Sequence, residues 1–315
     1  MKRFLGILVC VIAFSGCDDG DLVVETIDFD EVATSTCTEN DLLFKLKESE
    51  SLILDIPKEK FTQDETLVPT EINIDATNQV VYNFYDGKVG TEKICDLLDP
   101  GKPNINTQWN ATSGIIQITT EAQKTFNETD GSSRITGYKN VIVFKDITFT
   151  KEDNTTQFYD EFSFGDYVQT ITTLKLDFEQ SLEICTDNNL VYEFNPSTSE
   201  SLTLTIDPAL ILNEVTPIDQ PRTGTIGLIK NKLVYNTYEG AVLLPEYFCA
   251  PTDLPSVKEE WLGEVGGIIE VTTTTSGANS FKHTIVLKNV SLVKGNSDFQ
   301  LGNNYLYGDL TTIKP

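Results

Sequence analysis

The sequence predicts an all-β protein made of two tandem copies of one β-sandwich-like or small-barrel domain. Three observations carry that expectation. Runs rich in Val, Ile, Thr, Phe and Tyr alternate apolar and polar residues, as along Ile115 to Thr120 and Tyr138 to Lys145, which is the period of a half-buried strand. Turn-forming residues punctuate those runs at Asp86-Gly87, Asp130-Gly131, Lys294-Gly295-Asn296 and Gly302-Asn303-Asn304, where hairpins reverse. Segments of the first half also return, in the same order, in the second, the mark of an internal repeat.

The repeat is visible residue by residue. Ile27-Asp28-Phe29-Asp30 returns as Leu176-Asp177-Phe178-Glu179, and CTENDLLFKL from Cys37 as CTDNNLVYEF from Cys185. ESLILDIP from Glu50 matches ESLTLTIDP from Glu200, and VVYNFYDG from Val80 matches LVYNTYEG from Leu233. GIIQITT from Gly114 pairs with GIIEVTT from Gly267, and FSFGD from Phe162 with YLYGD from Tyr305. One such pair can arise by chance; a collinear series marks a duplication. The expected organisation is a first copy over 27–171 and a second over 172–315.

Within each copy about six to nine short strands with hairpin spacing are expected. No run of ten residues or more carries a helical period. A single helical turn is expected after Pro57 and again after Pro208, because Pro fits the first helical position. Phe61 and Leu212 lie four residues on, placed to fold back as apolar plugs. The join at Thr170 to Lys175 lacks Pro and Gly and reads as strand running into strand, so the copies should abut.

Composition limits what such a protein can do. The chain of 315 residues carries 48 Asp and Glu against 23 Lys and Arg, a formal charge of −25. That field repels phosphate backbones and excludes nucleic-acid partners. With 39% hydrophobic and 10% aromatic residues the chain can build a real core. A single His removes multi-His zinc sites and most His-dependent nucleophilic machinery.

The first residues read as a targeting segment. Lys2 and Arg3 precede an apolar run from Phe4 to Phe14, too short to span a bilayer, which takes about 20 residues, and right for a signal-peptide core. The run ends in Phe14-Ser15-Gly16-Cys17, which resembles the lipobox of bacterial lipoprotein precursors. The resemblance implies that residues 1–16 are a signal peptide, that cleavage falls before Cys17, and that Cys17 receives a diacylglyceryl group. Phe14 stands where that family has an aliphatic residue. Residues 17–26 then form an acidic tether opened by Asp18-Asp19-Gly20-Asp21. That stretch also looks like the signal that sends some Gram-negative lipoproteins to the outer face of the outer membrane. The expected location is therefore the cell outer membrane, lipid-anchored, at its surface or periplasmic face.

Four further cysteines repeat with the copies: Cys37 and Cys95, then Cys185 and Cys249. Four cysteines allow three pairings. An ancestral single unit held only its own two, which favours Cys37–Cys95 and Cys185–Cys249, in keeping with an oxidising compartment. No CxxC or His accompanies them, so no metal is expected.

The candidates for chemistry are few. His283 aligns with Asn140 and shares a strand face with Phe281, Ile285 and Leu287, which reads as a hydrogen-bonded residue at the core margin. Trp109 and Trp261 precede the two Gly-Ile-Ile strands; each is either a core residue or a candidate ligand contact that stacks on a sugar or a protein partner. Asp166 and Asp309 each follow a Gly after an aromatic strand and read as turn or strand-end acids, with a paired-carboxylate role as the alternative. No phosphate loop, EF-hand loop or nucleophile elbow occurs, and nothing calls for a cofactor. The expected function is a lipid-anchored cell-envelope binding or structural module, partnered by an extracellular ligand or envelope protein. A carboxylate-dependent, glycosidase-like hydrolase is the alternative.

Overall fold

A computed structural model describes residues 26–240, 244–250 and 255–314. The chain is all-β and forms two large sheets, one per repeat. In the first repeat β1 (Ser35–Thr36), β2 (Leu43–Lys47), β3 (Glu50–Asp55), β4 (Thr70–Asn73) and β5 (Gln79–Tyr85) precede a helical turn, α1 (Thr91–Cys95). Three long strands follow: β6 (Ile105–Asn127), β7 (Ser132–Lys151) and β8 (Thr156–Thr170). The sheet runs β1-β2-β3-β5-β6-β7-β8, with β4 also on β6.

The second repeat opens with β9 (Ser181–Cys185), β10 (Leu190–Asn195), β11 (Glu200–Thr205), β12 (Arg222–Thr225) and β13 (Lys232–Tyr238), then the turn α2 (Glu246–Cys249). It continues with β14 (Val257–Gly263), β15 (Ile268–Thr275), β16 (Ser280–Lys288), β17 (Ser291–Lys294), β18 (Ser297–Gln300) and β19 (Tyr305–Ile313). Its 11 strands run β12-β15-β16-β19-β9-β10-β11-β13-β14-β17-β18. The pairs are antiparallel except β19 with β9, so β9 joins the two faces of the sandwich.

The expectation of six to nine short strands per copy needs correction. Strands β6, β7 and β8 of the first repeat correspond to the pairs β14–β15, β16–β17 and β18–β19 of the second. Each passes from one face of the sandwich to the other. In the first repeat the passage is a bulge within an unbroken strand, as at Ser113/Ile115. Gly114 sits there at φ +134°, and a Cβ on it would lie 2.8 Å from Ile147 Cα. In the second repeat the same passage breaks the strand.

Residue alternation builds the cores as expected. Ile116 and Ile118 on β6 and Ile142 and Phe144 on β7 turn inward to pack with Leu52, Leu54, Trp109 and Phe164. Leu202, Leu204, Tyr235, Val271, Ile285 and Tyr307 form the second core. Helical turns do follow Pro57 and begin at Pro208. Phe61 is the buried plug of the first, edge-on to Tyr167. Leu212 is not its counterpart: it is exposed, and Leu210, inside the turn, is buried instead. The first turn starts one residue after Pro57, whereas the second starts at Pro208 itself, with Asp207 capping it by accepting from Ala209 N, so the same count from Pro lands further along in the second copy.

The join is not continuous strand. β8 stops at Thr170 and β9 starts at Ser181, while Leu174 and Leu176 of the connection enter the second core. The copies do abut. The outer part of the β6–β7 hairpin sends Ile135 and Tyr138 into the second core. Arg134 donates to Gln300 O at 2.9 Å and covers the Phe299 ring at 5.5 Å. Asp64 accepts from Ser297 N and Oγ at 2.9 and 2.7 Å.

Candidate functional site

The cysteines form the two bridges that the repeat suggested, Cys37–Cys95 and Cys185–Cys249. Cys17 lies outside the described residues. Trp109 and Trp261 are 2% and 1% exposed, and the role of ligand contact is corrected accordingly. Lys151 Nζ covers the Trp109 ring at 4.0 Å and Lys294 Nζ covers Trp261 at 4.8 Å. Tyr82 and Phe299 pack against the same rings at 5.1 and 5.0 Å. A ring enclosed on these sides has no face to offer a sugar.

His283 is fully buried and bridges two hydroxyls, Thr273 Oγ1 at its Nδ1 and Thr312 Oγ1 at its Nε2, both at 2.8 Å. Burial, with Arg222 nearby, holds its pKa below the usual histidine value. Asn140 does the same work in the first repeat, accepting from Thr120 Oγ1 and donating to Tyr167 O. Asp166 and Asp309 are not turn acids. Both lie within strands, after bulge glycines, and Asp309 accepts from Lys282 Nζ and Thr284 Oγ1.

The site with most chemical content is one that sequence reasoning did not single out. In the second repeat the chain from Asp177 to Ser181 crosses the end of β10 and leaves a cleft of about 540 Å³. It is lined by Asp177, Glu179, Glu183, Tyr192, Glu193 and Asn195, with Phe178 and Phe194 among the apolar walls. The phenol of Tyr192 donates to Glu183 Oε2 at 2.6 Å, and Asn195 Nδ2 donates to Asp177 O at 2.7 Å. Phe248 of α2 stacks on Tyr192 at 4.5 Å. The Cys185–Cys249 bridge ties α2 to β9 and so positions that wall.

Glu193 is the unusual group. It is 4% exposed, accepts from Gln180 N at 3.2 Å through Oε2, and leaves Oε1 without a partner among the described residues. Burial pushes its pKa up to about 8, because an ion in a poor dielectric loses its hydration.

The first repeat has two recesses at the matching place, one of about 300 Å³ lined by Asp28, Asp30, Glu31 and Lys47 among others, and one of about 510 Å³ lined by Asp30, Thr34, Lys45 and Asp166 among others. Lys47 Nζ donates to Asp28 O at 3.0 Å and to Asp28 Oδ2 at 3.1 Å. Lys45, the counterpart of Glu193, donates to Phe29 O at 3.0 Å and lies 5.8 Å from the centre of the Phe164 ring. The sequence signal was present: FKLK in one copy aligns with YEFN in the other. Only the crossing segment reveals that these positions are buried. Among the described residues no group of three or more His, Cys, Asp or Glu is placed to hold a metal ion. No protein-family model, curated protein or solved structure matches the chain.

Proposed function

We propose that the protein is a lipid-anchored module of the bacterial cell envelope that binds a ligand without transforming it. The observation that carries this reading is the divergence of the two clefts. One fold was duplicated; the first copy lines this place with Lys45 and Lys47, and the second walls it with carboxyl and aromatic groups and no lysine. A duplicate that retains the fold while one recess changes charge is the pattern of a recognition site on a rigid scaffold. The paired cysteines favour an oxidising compartment outside the cytoplasm, and Cys17 is the proposed anchor. Fractionation and fatty-acid labelling test the anchor: the wild-type chain labels and sediments with membranes, and Cys17→Ser does neither.

One observation favours a second reading, the carboxylate-dependent hydrolase. Glu193 keeps its proton past neutrality, as a general acid does, and Glu183 lines the same cleft. Incubation with polysaccharides, peptides and chromogenic glycosides decides between them. Saturable binding without turnover supports the module. Turnover lost in Glu193→Gln establishes the hydrolase.

A further inference from the structure

We infer that the cleft of the second domain takes an organic cation, a primary alkylammonium group, in the place that Lys47 fills in the first domain. This rests on the binding reading above and names its ligand class. Through the repeat, Asp28 corresponds to Asp177, Phe29 to Phe178, Lys45 to Glu193 and Lys47 to Asn195.

In the first domain the crossing segment is held by two ammonium groups. Lys47 donates to the carbonyl and carboxylate of Asp28, and Lys45 to the carbonyl of Phe29. In the second domain both lysines are gone. An amide, Asn195, retains only the carbonyl bond to Asp177, and Glu193 replaces the other cation. A further acid, Glu183, stands where the first copy has Ser35. The described lining contains Asp177, Glu179, Glu183 and Glu193 and no Lys or Arg.

Acidity alone would not define a site in a chain of charge −25. The independent observation is Glu193 Oε1, a buried acceptor in the cleft lining that lacks a donor among the described residues. Buried acceptors are almost always satisfied, and an ammonium brings three donors to satisfy one. The aromatic walls suit an alkyl stem with a charged head. The carboxyl groups are not grouped for a metal ion, which leaves an organic cation as the chemistry that fits. The ammonium can arrive on a free diamine or on a lysine side chain, and the test separates the two.

The experiment is calorimetric titration of the full chain, purified in detergent, with 1,5-diaminopentane, tetralysine and the neutral 1,5-pentanediol. One saturable site for an amine and none for the diol is expected. An ammonium beside Glu193 lowers its pKa and releases its proton to solvent, so Glu193→Gln should weaken amine binding about tenfold or more, as loss of a charged hydrogen-bond partner does. Asn195→Lys, which restores the first domain's ammonium beside Asp177, should weaken it comparably while the thermal melt stays unchanged. Tighter binding of the diamine assigns the site to small amines; tighter binding of tetralysine assigns it to a lysine-bearing polypeptide. Absence of amine binding at millimolar concentration, or binding indifferent to both substitutions, overturns the inference. If a neutral saccharide then binds saturably and Asn195→Lys abolishes it, the binding module survives and only the cation is wrong. Turnover at the cleft would sink both.

Discussion

Lys45 and Glu193 occupy the same position on the same strand of two copies of one domain, 3% and 4% exposed, with opposite charge chemistry. Each is buried by the segment that crosses its strand, and each bonds to that segment's backbone: Lys45 to Phe29 O and Glu193 to Gln180 N. Donor and acceptor have exchanged places between the chains of contacts. An isolated buried charge is costly, and burial shifts the pKa of each side chain in the direction of the neutral form. Burial lowers the pKa of Lys45 against the pull of Asp30 and Asp166, and it raises that of Glu193.

Glu193 makes stability fall as pH rises. Folded, its carboxyl holds a proton up to about pH 8, against an ordinary value of 4.5. Between those values the native state binds the extra proton, so the contribution is full below 4.5 and lost as pH climbs through 8. The slope approaches about 1.4 kcal/mol per pH unit in that window. Neighbouring Tyr305 and Tyr307 have pKa values raised by burial and then by Glu193, so they add no opposing charge there. Urea unfolding at pH 5 and pH 8 should show the wild type losing stability across the interval. In Glu193→Gln the difference should shrink.

The two bulge glycines should respond unequally to a methyl group. Gly308 has φ +150°, and an added Cβ would lie 2.5 Å from the backbone oxygen of Gln180. Gly165 has φ +108°, and its Cβ would meet the side-chain end of Lys45, at 2.8 Å from Nζ, rather than backbone. Both substitutions store strain of about 1–3 kcal/mol, but only at Gly308 must backbone move, adding roughly 1–3 kcal/mol more. Chemical denaturation should rank Gly308→Ala as the more damaging of the two.

The disulfides close loops of 58 and 64 residues. In the chain-entropy model each stabilises its domain by about 4 kcal/mol. Replacing one pair by serines should lower the melting temperature of that repeat, and non-reducing peptide maps should recover only within-repeat links. The Cys185–Cys249 pair has a second effect, because α2 carries Phe248 onto Tyr192. Its removal should also loosen the cleft, read as faster hydrogen exchange along β10.

Asp64 is the main polar latch between repeats, receiving Asn296 N at 3.0 Å together with the Ser297 amide and hydroxyl. Hydrogen bonds to a charged group contribute about 1.5–3 kcal/mol. Asp64→Ala should destabilise by that order, read as a lower urea midpoint with the slope unchanged, because the shared core around Tyr138 and the Arg134 contacts still couple the repeats.

Much of the architecture was legible in the chain because it depends on near neighbours or on comparing one copy with the other. Alternation along Ile115 to Thr120 reports which side chains share a face, Asp130-Gly131 reports where a hairpin turns, and the matched cysteines report their partners. Leu212 was not legible in the same way, and for the two tryptophans the core position was legible while what encloses their rings was not. The second turn begins at its own Pro rather than one residue after it, so Leu210 is the residue that points inward, and the enclosure of Trp109 depends on Lys151 and Tyr82 arriving from other strands. Glu193 was hidden furthest. Among 48 Asp and Glu, nothing local distinguishes an acid in water from an acid beneath a crossing segment. Its burial, its raised pKa and its place in a cleft arise only when residues 177–181 pass over β10 and remove the water that would have solvated it.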